Sequence, residues 1–420
     1  MFFNFIISNF FLKLGYFIIT PRNYSFGAFY GTLINGSKIA NYLAKKKIIC
    51  ISFIDYHNKF GKKKIYNFKL TLRTINQLKI DEIILSFLLT FLLLPFQLIY
   101  FTKFSSLFNR VLGKDFSYKI IPKYFGYGEN YITESLQNKY NFVHQLKLSP
   151  ELFSTNKVRL FNNSSNSKEI AFCIKDENYN SFKEISNIFC SDIEFTRETI
   201  NYLIKEGFKI KRIGEPMMKK FNYNDVNYYD LTKSKDYLDH FNLAMKNSDF
   251  YIGSGASQGE AVELFDKKKC IINSIDHLAS SFSCSKKNTI LFKKIFDVKK
   301  KKFLSIEEIF EMDLFDNNAV NKKYKNKEIM LIENNSSEIL DSVKFFLESN
   351  KNNYFDDSTN KTYFSLRKYA VEKKLKEKKC SLLLSAEFHD YRVPINYLNR
   401  YLFRSKYLDE ISYKFYKENF

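Results

Sequence analysis

A chain of 420 residues is long enough for two or three domains of ~100–200 residues each, so a buried core needs no disulfide or metal staples. With 45% apolar and 18% aromatic residues, 45 Phe and 29 Tyr among them, it is too apolar for global disorder. Sixty-six Lys and Arg against 45 Asp and Glu leave a formal charge of +21, which favours phosphate, anionic lipid or acidic glycan partners; part of it follows the AT-rich codon bias also visible in zero Trp and six Pro.

Residues 1–12 are apolar but lack a preceding positive charge and a following small-residue cleavage site, so no secretory signal is expected. Residues 16–20 (YFIIT) read as a buried strand, 33–44 as a helix and 48–54 as a second strand. The result is a βαβ opening whose Gly27 loop lies where open α/β sheets meet ligands. Residues 83–101 (IILSFLLTFLLLPFQLIYF) are the most hydrophobic stretch, just long enough to cross a bilayer but interrupted by Pro95. A span, an interfacial insert and an ordinary core helix all fit; Lys62-Lys63-Lys64 on one side and Lys103, Arg110 and Lys114 on the other give it a membrane-surface lean.

The polar run at 162–167 (NNSSNS) marks a domain boundary. Beyond it come strand 170–174, helix 196–206 stopped by Gly207, strand 208–213, helix 236–246, strand 250–252, helix 257–265 and strand 270–273. That alternation predicts an α/β fold with a parallel sheet. Gly207 takes the C′ position of its helix, and Ser305 with Glu308 forms a capping box. After Ser336 the chain reads as helical and Lys-rich, so the expected domains are 1–160, 168–335 and a helical extension, 336–420.

Six cysteines (Cys50, Cys173, Cys190, Cys270, Cys284, Cys380) contain no C-x-x-C pair and read as reduced thiols of a cytoplasmic protein. The five histidines show no i, i+4 pair, so structural or surface roles are expected, with His277 and Asp276 placed just past a strand end. The lysine tracts at 45–47, 267–269 and 299–302 read as solvated faces.

Three strand ends could carry chemistry. Lys175-Asp176-Glu177-Asn178-Tyr179 follows an apolar strand; Lys175 could neutralise phosphate and Asp176 act as a base, or the strand could simply end in solvent. Arg212-Ile213-Gly214-Glu215-Pro216 could bring a guanidinium fork and open backbone to a diphosphate, or form a turn with Arg212 in an ion pair. Gly253-Ser254-Gly255-Ala256-Ser257-Gln258-Gly259 packs three of the 13 glycines between a strand and a helix. Such a turn lets backbone N–H groups and a helix N-terminus meet a phosphate, or serves only as a tight turn. It is neither a Walker A loop nor a G-x-G-x-x-G fingerprint.

Taken in order, IAFCIKDENY, SDIEFTRETINYLIKEGFKIKRIGEPM and VNYYDLTKSKDYLDHFNLAMKNSDFYIGSGASQGEAVELF resemble a family of bacterial glycosyltransferases of surface-polysaccharide synthesis, over roughly residues 170–273. The resemblance aligns Asp176 and Tyr179 with one motif, Arg212, Gly214, Glu215, Pro216 and Met218 with an Arg-x-Gly-Asp/Glu-Pro-x-Met element, Tyr229 and Asp230 with a third, and Ser257 with Gly259 with a Ser-Gly turn. It departs at Lys175, where the family has Arg, at Cys173, where His is common, and at Phe189-Cys190, where an Arg-Asn pair is frequent.

The resemblance implies the GT-B architecture: two Rossmann-like domains facing across a cleft, the second binding a nucleotide-sugar and the first the acceptor, with no metal. It implies catalytic roles for Asp176 and Arg212, and a donor site made of Lys175, Tyr179, Gly214, Glu215, Tyr229, Gly253, Ser254, Ser257 and Gly259, with Gly27 facing from the acceptor side. The expected partners are a nucleotide-sugar, a glycan or lipid-linked acceptor and the inner membrane surface, with no specific nucleic acid. The alternative is a catalytically degenerate glycan- or membrane-surface-binding protein of the same fold.

Overall fold

In a computed structural model of the full chain, the described residues are 16–19, 47–50, 168–178, 187–233, 244–245, 247–255, 267–277, 288–315, 317–352, 358–376 and 391–419. The chain divides into two compact units, 1–162 and 163–420. In the first, β1 (Tyr16–Ile19) and β2 (Lys47–Cys50) pair in parallel, Tyr16 opposite Lys47, as a βαβ opening requires. Gly27 and the 83–101 stretch lie outside the described residues.

The second unit is α/β, built on a six-stranded, wholly parallel sheet. Its strands are β3 (Glu169–Cys173), β4 (Lys209–Arg212), β5 (Tyr228–Asp230), β6 (Phe250–Ser254), β7 (Lys268–Ser274) and β8 (Thr289–Phe292), in the order β5-β4-β3-β6-β7-β8. Because parallel strands are covered on both faces, the central ones are apolar without alternation: Ile170, Ala171, Phe172 and Cys173 of β3 are all fully buried. Between β3 and β4, α1 (Arg197–Lys205) turns Thr199, Ile200 and Leu203 inward and packs against β4.

The expected end of α1 is present as a Schellman motif. Gly207 at φ +85° donates to the Ile204 carbonyl and Phe208 to the Leu203 carbonyl, so two otherwise orphaned acceptors are satisfied.

From β8 the chain passes through one residue, Lys293, into a three-stranded antiparallel sheet of β9 (Lys294–Asp297), β10 (Lys302–Phe303) and β11 (Ile329–Ile332), with β9 central. Between β10 and β11 lie α2 (Ile306–Glu311) and α3 (Asn317–Lys325). The capping box of α2 is present: Ser305 Oγ accepts from Glu308 N–H and the Glu308 carboxylate from Ser305 N–H.

The described residues after Ser336 are mostly helical: α4 (Ser336–Asn352), α5 (Ser358–Lys376), α6 (Ile395–Tyr401) and α7 (Lys406–Asn419). They belong to the same compact unit as the sheet. Ile339, Val343, Phe346 and Leu347 form a buried stripe of α4 on β7, β8 and α1. Phe415 of α7 joins Phe296 and Phe303 at ring separations of 4.8–5.2 Å. Outside β8, Arg392 bridges Thr289 in parallel, with Arg392 N–H on the Asn288 carbonyl and Ile290 N–H on the Arg392 carbonyl, and so occupies that edge of the sheet.

Candidate functional site

Chain order builds outward from β3 to β4 and β5, then restarts at β6 and builds the other way through β7 to β8. This doubly wound arrangement has its switch point between β3 and β6, and in open α/β sheets ligands bind beyond the carboxyl ends of the strands at that point. The first and third sequence candidates, after β3 and after β6, therefore fall on neighbouring strands. They are joined directly: Lys175 N–H donates to Ser254 Oγ at 2.7 Å.

Around that junction Lys175 and Asp176 are almost fully buried, and the Lys175 ammonium lies 5.4 Å from the centre of the Phe189 ring. Both Asp176 oxygens accept backbone N–H bonds, Oδ1 from Asn178 at 2.9 Å and Oδ2 from Lys219 at 2.6 Å, so the carboxylate locks the loops after β3 and β4 together. The segment after the β3 loop crosses the same edge. Ser191 N–H binds the Lys175 carbonyl, and the Cys190 carbonyl takes the Lys293 ammonium, which follows β8. Burial pulls the Lys293 pKa down while Glu333, 3.7 Å away, opposes it; burial raises that of Cys190 against the pull of Lys175 and Lys293. Lys293 and Glu333 were not singled out from the sequence, where the only signal was a charge directly after the TILF strand.

The glycines and the arginine have structural work of their own. A Cβ on Gly253 would lie 2.1 Å from the Cys173 carbonyl oxygen, so β6 approaches β3 too closely for any side chain there. Cys173 is a wholly buried thiol whose pKa burial pushes up to about 12, which makes it inert. Arg212 is fully buried: Nη1 donates to Asp230 Oδ2 at 2.9 Å and Nη2 to the Lys219 carbonyl at 2.6 Å. Its two Nη atoms thus tie β4 to β5 and to the loop after β4, as the ion-pair alternative has it, while Nε is buried without a partner.

Gly214, at φ +151°, has Met218 Sδ where a Cβ would be, at 2.2 Å, and Glu215 N–H points at the same sulfur, 3.2 Å away. Arg-x-Gly-Glu-Pro-x-Met is here a self-closing turn with Glu215 half-buried at its start. Tyr229 is 42% exposed on β5, two strands from the switch point. Tyr179, Ser257 and Gly259 lie outside the described residues.

His277, just past β7, belongs to an interior cluster. Its ring stacks on Phe292 (centroids 3.9 Å apart), its Nδ1 lies 3.3 Å from Tyr363 Oη, and its carbonyl accepts from Arg367 and Tyr391. Burial, helped by the Arg367 charge, drives its pKa down to about 3, so the ring is neutral. Asp276 is also buried and accepts from Asn317.

Fold and edge together define a doubly wound α/β unit with a basic, serine-bearing switch point. No protein-family model matches the chain, and no curated protein or solved structure matches it either. Among the described residues no helix is long and apolar enough to cross a membrane, and no group of three or more His, Cys, Asp or Glu could hold a metal ion.

Proposed function

We propose that the second unit binds the diphosphate of a nucleotide-sugar at the β3/β6 switch point and that the protein is a metal-independent glycosyltransferase of GT-B type, associated with the inner membrane surface. Its acceptor is a lipid-linked or surface glycan offered by the first unit. The observation that carries this reading is the Lys175–Ser254 junction at the point where the strand order reverses. A dinucleotide or nucleotide-diphosphate ligand is what this strand order accommodates elsewhere, and the ordered strand-end motifs supply the sugar-transfer part.

In such a reaction the acceptor oxygen attacks the anomeric carbon, the bond from that carbon to the diphosphate breaks, and negative charge grows on the departing phosphate. Lys175 and the backbone N–H groups following β6 are the groups assigned to that charge. Asp176, each of whose oxygens accepts one backbone N–H bond and keeps a second lone pair, is the carboxylate assigned to the acceptor proton, with Glu215 the other carboxylate at the same edge. Arg212 is left out of the charge-stabilising set because its fork is occupied.

Thermal unfolding with UDP-, GDP-, CMP- and dTDP-sugars tests this. A matching nucleotide at 100 times its Kd stabilises by about 2.7 kcal/mol, and Lys175→Gln reduces the shift. If none of the four moves the midpoint, the proposal fails. The second reading, a binding protein without turnover, is favoured by one observation, the sequestration of Arg212. It predicts nucleotide stabilisation without sugar release to any membrane-extract acceptor.

A further inference from the structure

Far along the sequence from the switch point, the 299–302 lysine tract, which by itself reads as a solvated face, is brought beside a second lysine-rich segment at 322–327. The turn between β9 and β10 carries Lys299, Lys300 and Lys301, all exposed; the end of α3 and its turn into β11 carry Lys322, Lys325 and Lys327, also exposed. Strands β9 and β11 are neighbours with Asp297 opposite Ile329, and Val298 N–H donates to the Glu328 carbonyl at 3.0 Å, which fixes the two turns against each other at one end of the small sheet. Adjacent strands are ~4.8 Å apart, so the two lysine-bearing turns adjoin.

Over 297–302 and 322–328 there are eight lysines and two carboxylates. Both carboxylates are engaged within the turns: Asp297 accepts Lys300 N–H at 2.8 Å, and Glu328 takes Asn326 and Lys323. From α2, Glu308 faces the patch and is paired with Lys302; from α7, Glu418 is 3.9 Å from Lys414.

Two further features set the patch apart from a casual charge run. Lys301 and Lys327 sit at φ +52° and +59°, in the left-handed region that Gly or Asn occupies more easily. The positions where each turn would prefer a small residue thus hold lysines. Aromatic rings flank the charges: Lys301 Nζ lies 4.5 Å from the centre of the Tyr416 ring, and Tyr324 is 38% exposed on α3. Exposed lysines with tyrosine rings beside them suit a plane of phosphate headgroups, where aromatic rings sit at the interface.

We infer that this two-turn lysine patch is a docking face for an anionic phospholipid bilayer. It gives the membrane association proposed above a specific surface and rests on that part of the reading, while being independent of the nucleotide site. A lysine near an anionic leaflet strengthens binding about five-fold, so removing four charges weakens it roughly 600-fold.

The test is sedimentation of the full chain with phosphatidylcholine vesicles containing phosphatidylglycerol, and with pure phosphatidylcholine vesicles. The variant is Lys299→Gln, Lys300→Gln, Lys322→Gln and Lys327→Gln together, all at exposed positions, with its unfolding midpoint checked against the parent. Salt-sensitive binding of the parent to anionic vesicles, lost on that scale in the variant, supports the inference. Equal binding of both proteins overturns the patch but leaves membrane association standing. No binding of the parent to either vesicle overturns both. Loss of duplex DNA binding in the variant with vesicle binding intact reassigns the patch to nucleic acid and overturns the inference as well.

Discussion

Arg212 illustrates how a side chain's chemistry can be visible in a sequence while its employment is not. An arginine closing a buried strand next to Gly214 suits a phosphate, yet its partner, Asp230, stands 18 residues on, at the end of a strand of only three residues. Once Asp230 and the Lys219 carbonyl are supplied by the fold, both Nη atoms of the buried guanidinium are engaged without a ligand, and only Nε, also buried, is left without a partner. Arg212→Ala removes the ion pair to Asp230, which keeps its bonds from Thr232, and the bond to the Lys219 carbonyl, and is expected to lower stability by about 3 kcal/mol, read by urea unfolding. Arg212→Lys, if folded, is expected to retain the full nucleotide-induced shift in melting temperature; a lost shift at unchanged stability would hand the residue back to the ligand. Gly253 makes the same point, because the close approach of β3 that excludes a Cβ there is a long-range fact that no local window contains.

His277 adds a pH dependence at the same scale. Its folded pKa, about 3, lies below the ordinary 6.5, so the unfolded chain binds the extra proton first. The stabilisation from keeping the ring neutral is complete above pH 6.5 and declines as pH falls towards 3. Over the interval from pH 6.5 to 5 the loss is about 2 kcal/mol. Urea titrations at pH 7.5 and 5 are expected to show that His277→Gln, less stable at the higher pH, loses less on acidification; an equal loss in both proteins would mean that the ring is not held neutral.

Among the elements, the legible ones were those with local punctuation. Gly207 marks the end of α1 because only a residue tolerant of positive φ fits there, and Ser305 with Glu308 marks the start of α2 because the two side chains cap each other. The penalties expected on removing these signals are modest: about 1 kcal/mol for Gly207→Ala, whose new Cβ would meet nothing closer than 3.7 Å, and a similar amount for Ser305→Ala. Denaturation midpoints of the two variants check this, and a neutral Gly207→Ala would contradict the left-handed cap.

The small antiparallel sheet was not legible. Strands β9, β10 and β11 have four, two and four residues, too few for a period to emerge, and β8 runs into β9 across a single lysine. The lysine patch was hidden for the same reason, since its two halves adjoin only through that sheet.

For the whole molecule, alternating apolar strands and helices correctly announced a parallel sheet, and the strand order then located the switch point. The strand order itself is set by which strands pair, which the alternation leaves open. The strand at one end of the sheet, β8, finds its last neighbour only at Arg392, a hundred residues further along the chain. At ribosomal speeds of ~5–20 residues per second that interval lasts about 5–20 s. Throughout it a nascent chain carries the TILF edge without the partner that later caps it, and that wait gives self-association an opening that the completed protein closes on this side.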